Sequence, residues 1–422
     1  MSTKIGLVAG LSLALLASGG HAETIQSLVR ESVQLHPTVR SAQAQLAAAQ
    51  NNVAGAKWQF APTLSFTAER VNQGQTNDPS FAGDASVKYL RLQQPVWSGG
   101  RLTAGLKKSE YGLEVARANL DDARLQIALK LIQAYGDWVV AKLRHESNEK
   151  SLQTHQRLHK LVQNRIEQGV AANSDEVLAI SRIEGIRADI EVSRSQQEIA
   201  KTKIEQLYGS YVNLTTYSLE APRLASMDLA SMVEEAMTHY PAYRRSLAQL
   251  EVQRAVVSEK EASLSPELYV RAERQYGNYT YANLPDMSRV FVGVSTSLGA
   301  GLSRLTDIDS AKASLTGAAE EVEAQKRILK ETLSSDYALV SAAENRLRSL
   351  RISLKNSEDV LLSYERQFLA GRKSWLDVMN SVRELSQAEI QVADASSTIF
   401  VLRWRLWVNV SGLDALIEGN MQ

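Results

Sequence analysis

Apolar and polar residues alternate along four short segments of the chain. The alternation is clear from Leu64 to Ala68, from Leu268 to Ala272 and from Val290 to Val294, and it is weaker from Ala85 to Gln94. A period of two residues is typical of β-strands with one apolar face. The sequence therefore predicts four strands, two in each half of the chain.

Much longer stretches place apolar residues three and four positions apart. No proline lies between Pro95 and Pro222, and this region predicts one helix from Leu102 to Gln168. In the second half, five apolar residues recur at intervals of seven: Val340, Leu347, Leu354, Leu361 and Phe368. Sustained seven-residue spacing is typical of left-handed supercoiled packing, and a helix of about 65 residues is about 100 Å long.

A glycine ends each predicted long helix, and a second helix follows at once. Gly169 and Gly371 suit the left-handed conformation that closes many helices. Asn173 to Glu176 and Ser374 to Asp377 each place a short polar side chain three residues before an acid, the pattern of a capping box. Each half is thus predicted to contain a long antiparallel helical hairpin.

The two halves follow one plan. Pro37 and Pro62 recur as Pro241 and Pro266, since 241 − 37 and 266 − 62 both equal 204. Repetition at a fixed period indicates repeated structural units, here a helix, two strands and a long hairpin. We expect a signal peptide (1–22), a first repeat (23–207), an inter-repeat segment (208–229), a second repeat (230–412) and a C-terminal tail (413–422).

The N-terminus has the pattern of an export signal. Lys4 precedes an apolar run from Ile5 to Leu16, and Gly20-His21-Ala22 resembles a small-residue cleavage site before Glu23. With about twelve apolar residues, the run is shorter than the about twenty that a membrane-spanning helix needs, and no later stretch is apolar enough. The mature chain, expected to begin at Glu23, is therefore predicted to leave the cytoplasm without a transmembrane helix.

Composition narrows the possible functions. The 422 residues include 47 basic and 47 acidic side chains, so the formal net charge is zero, which argues against nucleic acid as a partner. The hydrophobic fraction of 44% and the charged fraction of 22% are typical of a folded protein. The absence of cysteine excludes disulfides, thiolate metal sites and the lipid-bearing cysteine of bacterial lipoproteins.

Four strands with one apolar face cannot close into a barrel by themselves. An open edge cannot face lipid, because its backbone groups would lack hydrogen-bond partners. Two, three or four copies of the chain would supply eight, twelve or sixteen strands, all plausible barrel sizes. The expected fold class is an α+β membrane protein, in which the strands contribute to a shared transmembrane β-barrel and coiled helical hairpins extend it on one side.

Two segments carry a family resemblance. They are the strand exit from Gln94 to Arg101 (QPVWSGGR) and the hairpin tip from Phe368 to Val378 (FLAGRKSWLDV). Together with the signal peptide and the repeats, they resemble the TolC-type outer-membrane efflux and secretion family over essentially all of the mature chain. The resemblance implies a homotrimer with a twelve-stranded barrel, a periplasmic α-barrel of twelve helices, and an equatorial belt formed by the inter-repeat segment and the tail.

The same resemblance implies a location, partners and a function. The barrel would lie in outer-membrane lipid of a Gram-negative bacterium, and the tips would meet a periplasmic adaptor and an inner-membrane transporter. Without a lipidated cysteine the chain is similar to the non-acylated branch, and its tip is similar to those of channels that export large adhesins by type I secretion. A passive secretion duct is expected, with small-molecule efflux and a periplasmic coiled-coil scaffold or adaptor as alternatives.

Residues at the tip match positions of the family's periplasmic gate. Asp377 lies where the family places a pore-constricting acid, and Lys373 lies where a basic gate-linking residue is usual. Ser174 and Asp175 match a hydroxyl and an acid that act as partners in holding the tip shut. Helix capping is the alternative role for Asp377 and Asp175, because an acid in the first turn satisfies free backbone amides.

Two tip residues depart from the family pattern. Asn380 occupies the place of a second acid, three residues after Asp377, and Phe368 occupies the place of a tyrosine whose hydroxyl makes a gating hydrogen bond. A double acid ring is therefore not expected, and neither is a gate locked by a phenolic hydroxyl.

Aromatic residues cluster at two further places. Trp58, Phe60 and Trp97 flank the predicted strands on their helix side, where a membrane interface and ordinary core packing explain them equally well. Trp404 and Trp407 lie near the end of the last long helix, and packing in the equatorial belt is the expected role.

Enzyme chemistry is not indicated. His155 and His159 have the four-residue spacing of two metal ligands, but no third ligand follows at a supporting spacing, so a solvated coiled-coil face is expected. Gly299-Ala300-Gly301 lacks the third glycine of a dinucleotide-binding loop. No serine-histidine-acid constellation or paired-carboxylate motif occurs, and no cofactor is expected.

Overall fold

The computed structural model describes residues 24–70, 83–222, 227–279, 281, 284–296 and 303–418. The expected signal peptide (1–22), Glu23 and Gly299-Ala300-Gly301 lie outside these residues, as do parts of the inter-repeat segment, the inter-strand loops and the C-terminal tail.

The elements of the first half are two short helices, two strands and two long helices: α1 (Ile25–Leu35), α2 (Pro37–Trp58), β1 (Thr63–Arg70), β2 (Ser86–Trp97), α3 (Arg101–Glu167) and α4 (Asn173–Tyr208). The second half contains the same order of elements followed by one short helix: α5 (Leu229–His239), α6 (Pro241–Ala262), β3 (Glu267–Tyr276), β4 (Met287–Ser295), α7 (Ser303–Leu369), α8 (Trp375–Ser411) and α9 (Leu413–Glu418). Both α3 and α7 contain 67 residues, and both α2 and α6 contain 22.

Local sequence explains where the short helices begin. The Thr24 side chain accepts a hydrogen bond from the Ser27 amide at 3.3 Å and caps α1. Asp228 caps α5 in the same way, by accepting from the Ser231 amide at 3.2 Å. Pro37 and Pro241 have no amide hydrogen to leave unpaired in the first turns of α2 and α6.

The four strands form one antiparallel sheet in the order β1-β2-β3-β4. The predicted strands are therefore confirmed, although β2 continues past Gln94 to Trp97. Pro95 is accommodated there because the pairing with β3 is irregular between Pro95 and Trp97. Among the described residues, β1 and β4 each pair on one side only, so both edges of the sheet are open there.

One face of the sheet is apolar and uncovered. Leu64, Leu92, Ala272 and Val290 lie in one row across the four strands, and cross-strand partners share a face. The exposed fraction of Val292, in the neighbouring row, is 82%. The described part of the protomer leaves these side chains largely uncovered.

The main core lies between the sheet and the hairpin tips. It is formed by α1, α2, α3, α4, α8, α9 and the inter-repeat segment. The rings of Tyr135 and Phe400 lie 5.6 Å apart, and that of Trp404 lies 6.3 Å from Phe400. The Trp404 indole donates to the Glu220 carbonyl at 3.2 Å, and Trp407 is also buried, so the expected packing of both tryptophans near the inter-repeat segment is confirmed.

The seven-residue seam of α7 faces the protein. Val340, Leu361 and Phe368 are buried, while Leu347 and Leu354 are half-buried. The seam packs mainly against α8, the antiparallel partner in the same hairpin. Over the residues that the structure describes, no helix is both long and apolar enough to cross a membrane.

Candidate functional site

The hairpin tips turn at the two predicted glycines. Gly169 has φ +74° and Gly371 has φ +71°, a left-handed conformation that favours glycine. Beyond them, the Val170 amide donates to the Arg165 carbonyl at 2.9 Å, and the Arg372 amide makes the equivalent bond at 2.8 Å. The same closing pattern therefore ends α3 and α7.

The helix α8 begins with a complete capping box. The Ser374 hydroxyl accepts from the Asp377 amide at 3.2 Å, and the Asp377 carboxylate accepts from the Ser374 amide at 3.2 Å. Hydrogen bonds from Ser374, with a smaller contribution from Lys373, hold the pKa of Asp377 below its ordinary value of 3.8. The Lys373 ammonium lies 3.9 Å from this carboxylate and 4.3 Å from the centre of the Tyr364 ring.

The predicted capping box at the start of α4 is wrong. Ala172 is the N-cap, and no side chain caps this helix. Ala172 is the last residue with extended backbone angles, so Asn173 already lies inside the helix and its side chain cannot act as the cap. Ser174 is exposed and Asp175 is half-buried in the first turn.

An apolar cluster holds both hairpins of the protomer together at the tip. This tip core takes residues from α3, α4, α7 and α8, which are Leu158, Val162, Ala179, Leu361, Phe368, Trp375, Val378, Met379 and Val382. Phe368, in the place of the family's gating tyrosine, is 3% exposed and lies within it. Its ring packs inside the protomer, which explains how an apolar side chain is accommodated at this position.

Two arginines of α3 connect the tip core to α7. The Arg165 guanidinium lies 4.3 Å from the centre of the Phe368 ring and donates to the Phe368 carbonyl at 3.2 Å. Arg157 forms an ion pair of 2.5 Å with Glu365. Sequence analysis missed both residues, because their partners lie more than 200 positions away and no local pattern pairs them.

The expected solvated face at His155 is wrong. His155 is 2% exposed, and its Nδ1 lies 2.8 Å from the Ser151 carbonyl oxygen. Burial, assisted by the positive charge of Arg182, lowers the pKa of His155 from 6.5. His155 lies on the side of α3 that faces α4 and α8, and these two helices shield it from water. A cavity of about 440 Å³ between the three helices is lined by His155 and also by Asn380.

His159 does not join His155 in a metal site. Its Nε2 lies 3.5 Å from a carboxylate oxygen of Glu176, which also accepts a hydrogen bond from Gln163 at 2.8 Å. Within the described residues, no group of three or more histidine, aspartate or glutamate side chains is placed to hold a metal ion.

The aromatic residues at the helix end of the sheet face outward. Trp58 is 76% exposed, and Phe60 and Trp97 are also exposed. Packing in the protomer core is therefore not their role. Indole and phenyl rings in this position are typical of the border between an apolar membrane layer and water.

Comparison with known proteins agrees with this geometry. The family model described as outer membrane efflux protein matches residues 28–210. The solved outer-membrane channel OprN superposes with a TM-score of 0.81 at 20% identity, covering 92% of this chain and 90% of that one. CusC superposes with a TM-score of 0.82 at 14% identity and covers 92% of each chain. Residues 28–210 of the chain thus match the outer membrane efflux protein family, and 92% of the chain has the fold of these solved outer-membrane channels.

Three curated proteins are similar to the chain over different lengths. TolC of Escherichia coli strain K12 is 19% identical over 419 residues, which cover 94% of this chain and 83% of TolC. The cobalt-zinc-cadmium resistance protein CzcC of Cupriavidus metallidurans is 23% identical and covers 71% of each. Protein CyaE of Bordetella pertussis is 30% identical over 122 residues, and this match spans 26% of CyaE.

The matched family model, the curated relatives and the solved channels indicate one class of protein. The chain is a passive outer-membrane efflux channel of tripartite systems that extends into the periplasm, and it is not an enzyme. The predicted fold class, with strands that contribute to a membrane barrel and long helical hairpins beyond it, is confirmed by the solved channels.

Proposed function

We propose that the chain is the exit duct for type I secretion of a large adhesin-like protein. Three copies form the channel, and the hairpin tips receive the substrate from an inner-membrane transporter through a periplasmic adaptor. The division into a signal peptide (1–22), two repeats (23–207 and 230–412), a belt segment (208–229) and a tail (413–422) belongs to the same proposal.

The open-edged sheet with its uncovered apolar face carries the duct proposal. Within the part of the chain that the structure describes, β1 and β4 each present an unpaired edge, and Leu64, Phe66 and Val290 are exposed on the outward face of the sheet. Backbone groups at such edges need partners before the sheet can enter lipid. Three copies joined edge to edge supply twelve strands, which satisfies every edge and turns all apolar faces toward lipid.

The gate residues are part of the proposal. Around a threefold axis, three copies of Asp377 would line one constriction, with Lys373, Ser174 and Asp175 contributing to the links that keep the tips together. Because the pKa of Asp377 is below 3.8, its carboxylate is ionised at neutral pH and is available to attract cations. Helix capping and pore lining are compatible roles for this side chain.

The tip sequence FLAGRKSWLDV favours protein export, since it is similar to tips of channels that secrete adhesins. Small-molecule efflux is the second candidate, and it is favoured by the name of the matching family and by the similarity to the metal-resistance protein CzcC. The two candidates use the same duct and differ in the transporter that feeds it.

The substrate class is tested by deleting the gene in its own host and restoring it from a plasmid. We expect deletion to retain a protein of very high mass inside the cell, and the plasmid to return it to the surface or the medium. Unchanged export together with increased sensitivity to drugs or metal ions would instead support efflux. Recovery of the mature chain as a soluble periplasmic monomer would contradict the duct itself and support a scaffold.

A further inference from the structure

Three basic residues lie on the outward apolar face of the sheet, at the end nearest the inter-strand loops. They are Arg70 on β1, Lys88 on β2 and Arg274 on β3, and all three side chains are exposed. Lys88 is opposite Ala68 and Tyr276, while Arg274 is opposite Leu90. Each basic residue therefore shares the face of the apolar rows.

The strand register makes these residues diagonal neighbours. Arg70 is opposite Ser86, two positions from Lys88, and Tyr276 opposite Lys88 is two positions from Arg274. Diagonal neighbours on one face of an antiparallel pair lie about 7–8 Å apart. Arg70, Lys88 and Arg274 thus form a basic stripe across three adjacent strands.

On the opposite face, basic side chains are paired with an acid within the protein. There, Glu273 forms ion pairs with Arg91 at 2.6 Å and with Arg271 at 3.8 Å. In the basic stripe, Arg274 lies 3.9 Å from Asp286, and neither Arg70 nor Lys88 has an ion pair among the described residues. The stripe therefore carries positive charge that the described part of the protomer leaves largely uncompensated.

The distance from Trp97 to the basic stripe matches the thickness of the apolar layer of a membrane. Trp97 and Lys88 lie nine positions apart on β2, which at about 3.4 Å per residue is about 31 Å along the strand. A strand tilt of about 40° reduces this to about 23 Å, close to the apolar band of about 25 Å in outer-membrane barrels. When Trp97 lies at the periplasmic border, Lys88 lies at the level of the outer-leaflet headgroups.

We propose that the basic stripe binds phosphate groups on the headgroups of outer-leaflet lipid. The inference rests on the proposed barrel, in which the apolar face contacts lipid. Lys88 points outward at the depth where an anionic headgroup begins, and Arg70 and Arg274 are its diagonal neighbours on the same face. The aromatic residues at the other end of the face carry no such charge. Basic side chains at a membrane surface attract anionic lipid, and the attraction weakens as salt screens it.

The test compares the purified oligomer in detergent with diphosphorylated lipid A and with the same lipid after removal of its phosphates. Native mass spectrometry counts bound lipid, and thermal unfolding measures the stabilisation. We expect wild type to bind the phosphorylated lipid preferentially and Lys88→Gln with Arg274→Gln to weaken this binding on the order of tenfold, with less effect of the substitutions at high salt. Lys57→Gln with Lys107→Gln, two exposed lysines at the helix end, is the matched control and should bind as wild type does.

Equal binding of both lipids by wild type, or unchanged binding by the double variant, would overturn the lipid site. Competition by millimolar inorganic phosphate would also overturn it, because a site specific for free phosphate needs no membrane. If the double variant does not assemble, Lys88→Gln alone is measured in the same way. Failure of wild type to reach the outer membrane would instead contradict the proposed duct, so the two failures are distinguishable.

Discussion

Phe368→Ala is expected to open the hairpin tip by weakening the contact between the two hairpins of each protomer. Phe368 is 3% exposed in the tip core, and the Arg165 guanidinium of α3 lies 4.3 Å from its ring centre. Truncating a buried phenylalanine to alanine costs about 3–5 kcal/mol, and the lost cation–π contact adds about 0.5–2 kcal/mol. Alanine itself favours the helix, so α7 should remain intact.

The effect on gating depends on how much more the substitution destabilises the closed state than the open state. If opening separates α7 from α3, it breaks the contacts of Phe368 with Arg165 and the tip core. The Phe368→Ala substitution then destabilises the closed state, which has these contacts, much more than the open state, which lacks them. A difference of about 1.4 kcal/mol, less than half of the total cost, changes the ratio of open to closed tips tenfold. Because three copies act in one channel, the change in conductance should exceed that for a single tip.

Conductance of the purified channel in planar bilayers measures this effect directly. Leu329→Ala is the control, because Leu329 is also on α7, is 0% exposed and lies in a different core cluster. Its truncation costs a comparable 2–5 kcal/mol without touching the tip. We expect Phe368→Ala to raise conductance and Leu329→Ala to leave it unchanged. Equal conductance of the two variants would refute the assignment of Phe368 to tip closure.

Three further changes test other parts of the tip and hairpins. Asp377→Ala should remove the cation preference of the channel in bilayers and Lys373→Glu should raise its conductance, whereas unchanged selectivity with lower thermal stability would leave Asp377 as a helix cap alone. Burial and Arg182 lower the pKa of His155 from 6.5, so the unfolded chain binds a proton at this side chain more readily than the folded chain does. The melting temperature should therefore fall as pH decreases below about 6.5, and His155→Asn should reduce that fall. An identical pH profile of the variant would exclude His155 as the source. Leu347→Pro should cost about 3 kcal/mol or more inside α7 and abolish oligomer assembly, while Leu347→Met should assemble normally.

The sequence predicted most elements because their patterns are local. Alternation identified β1, β3 and β4, and the seven-residue seam identified α7, since both periods are visible within one element. The end of β2 was placed too early because Pro95 normally interrupts a strand, and only the irregular pairing with β3 allows it to continue.

Features that depend on contacts between distant segments were predicted less well. His155 is spaced like a surface residue of a single hairpin, but the second hairpin covers it. The stacking of Arg165 on Phe368 joins residues 203 positions apart and has no local signal. At the start of α4, a shift of the helix by one residue was enough to make Ala172 the cap in place of Asn173.

The two ends of the protomer use apolar side chains in opposite ways, and this difference bears on how the duct is controlled. At the sheet, apolar residues such as Val292 are uncovered, so their burial requires lipid and neighbouring copies. At the tip, Phe368 and its cluster are already buried by the protomer's own helices. In the proposed gate, opening the tip would expose apolar surface with no lipid nearby to cover it, and this would favour the closed state in the isolated channel. A partner would open the proposed gate only by binding the separated hairpins more tightly than the packed ones. The surface released around Phe368 is where that difference in affinity would arise.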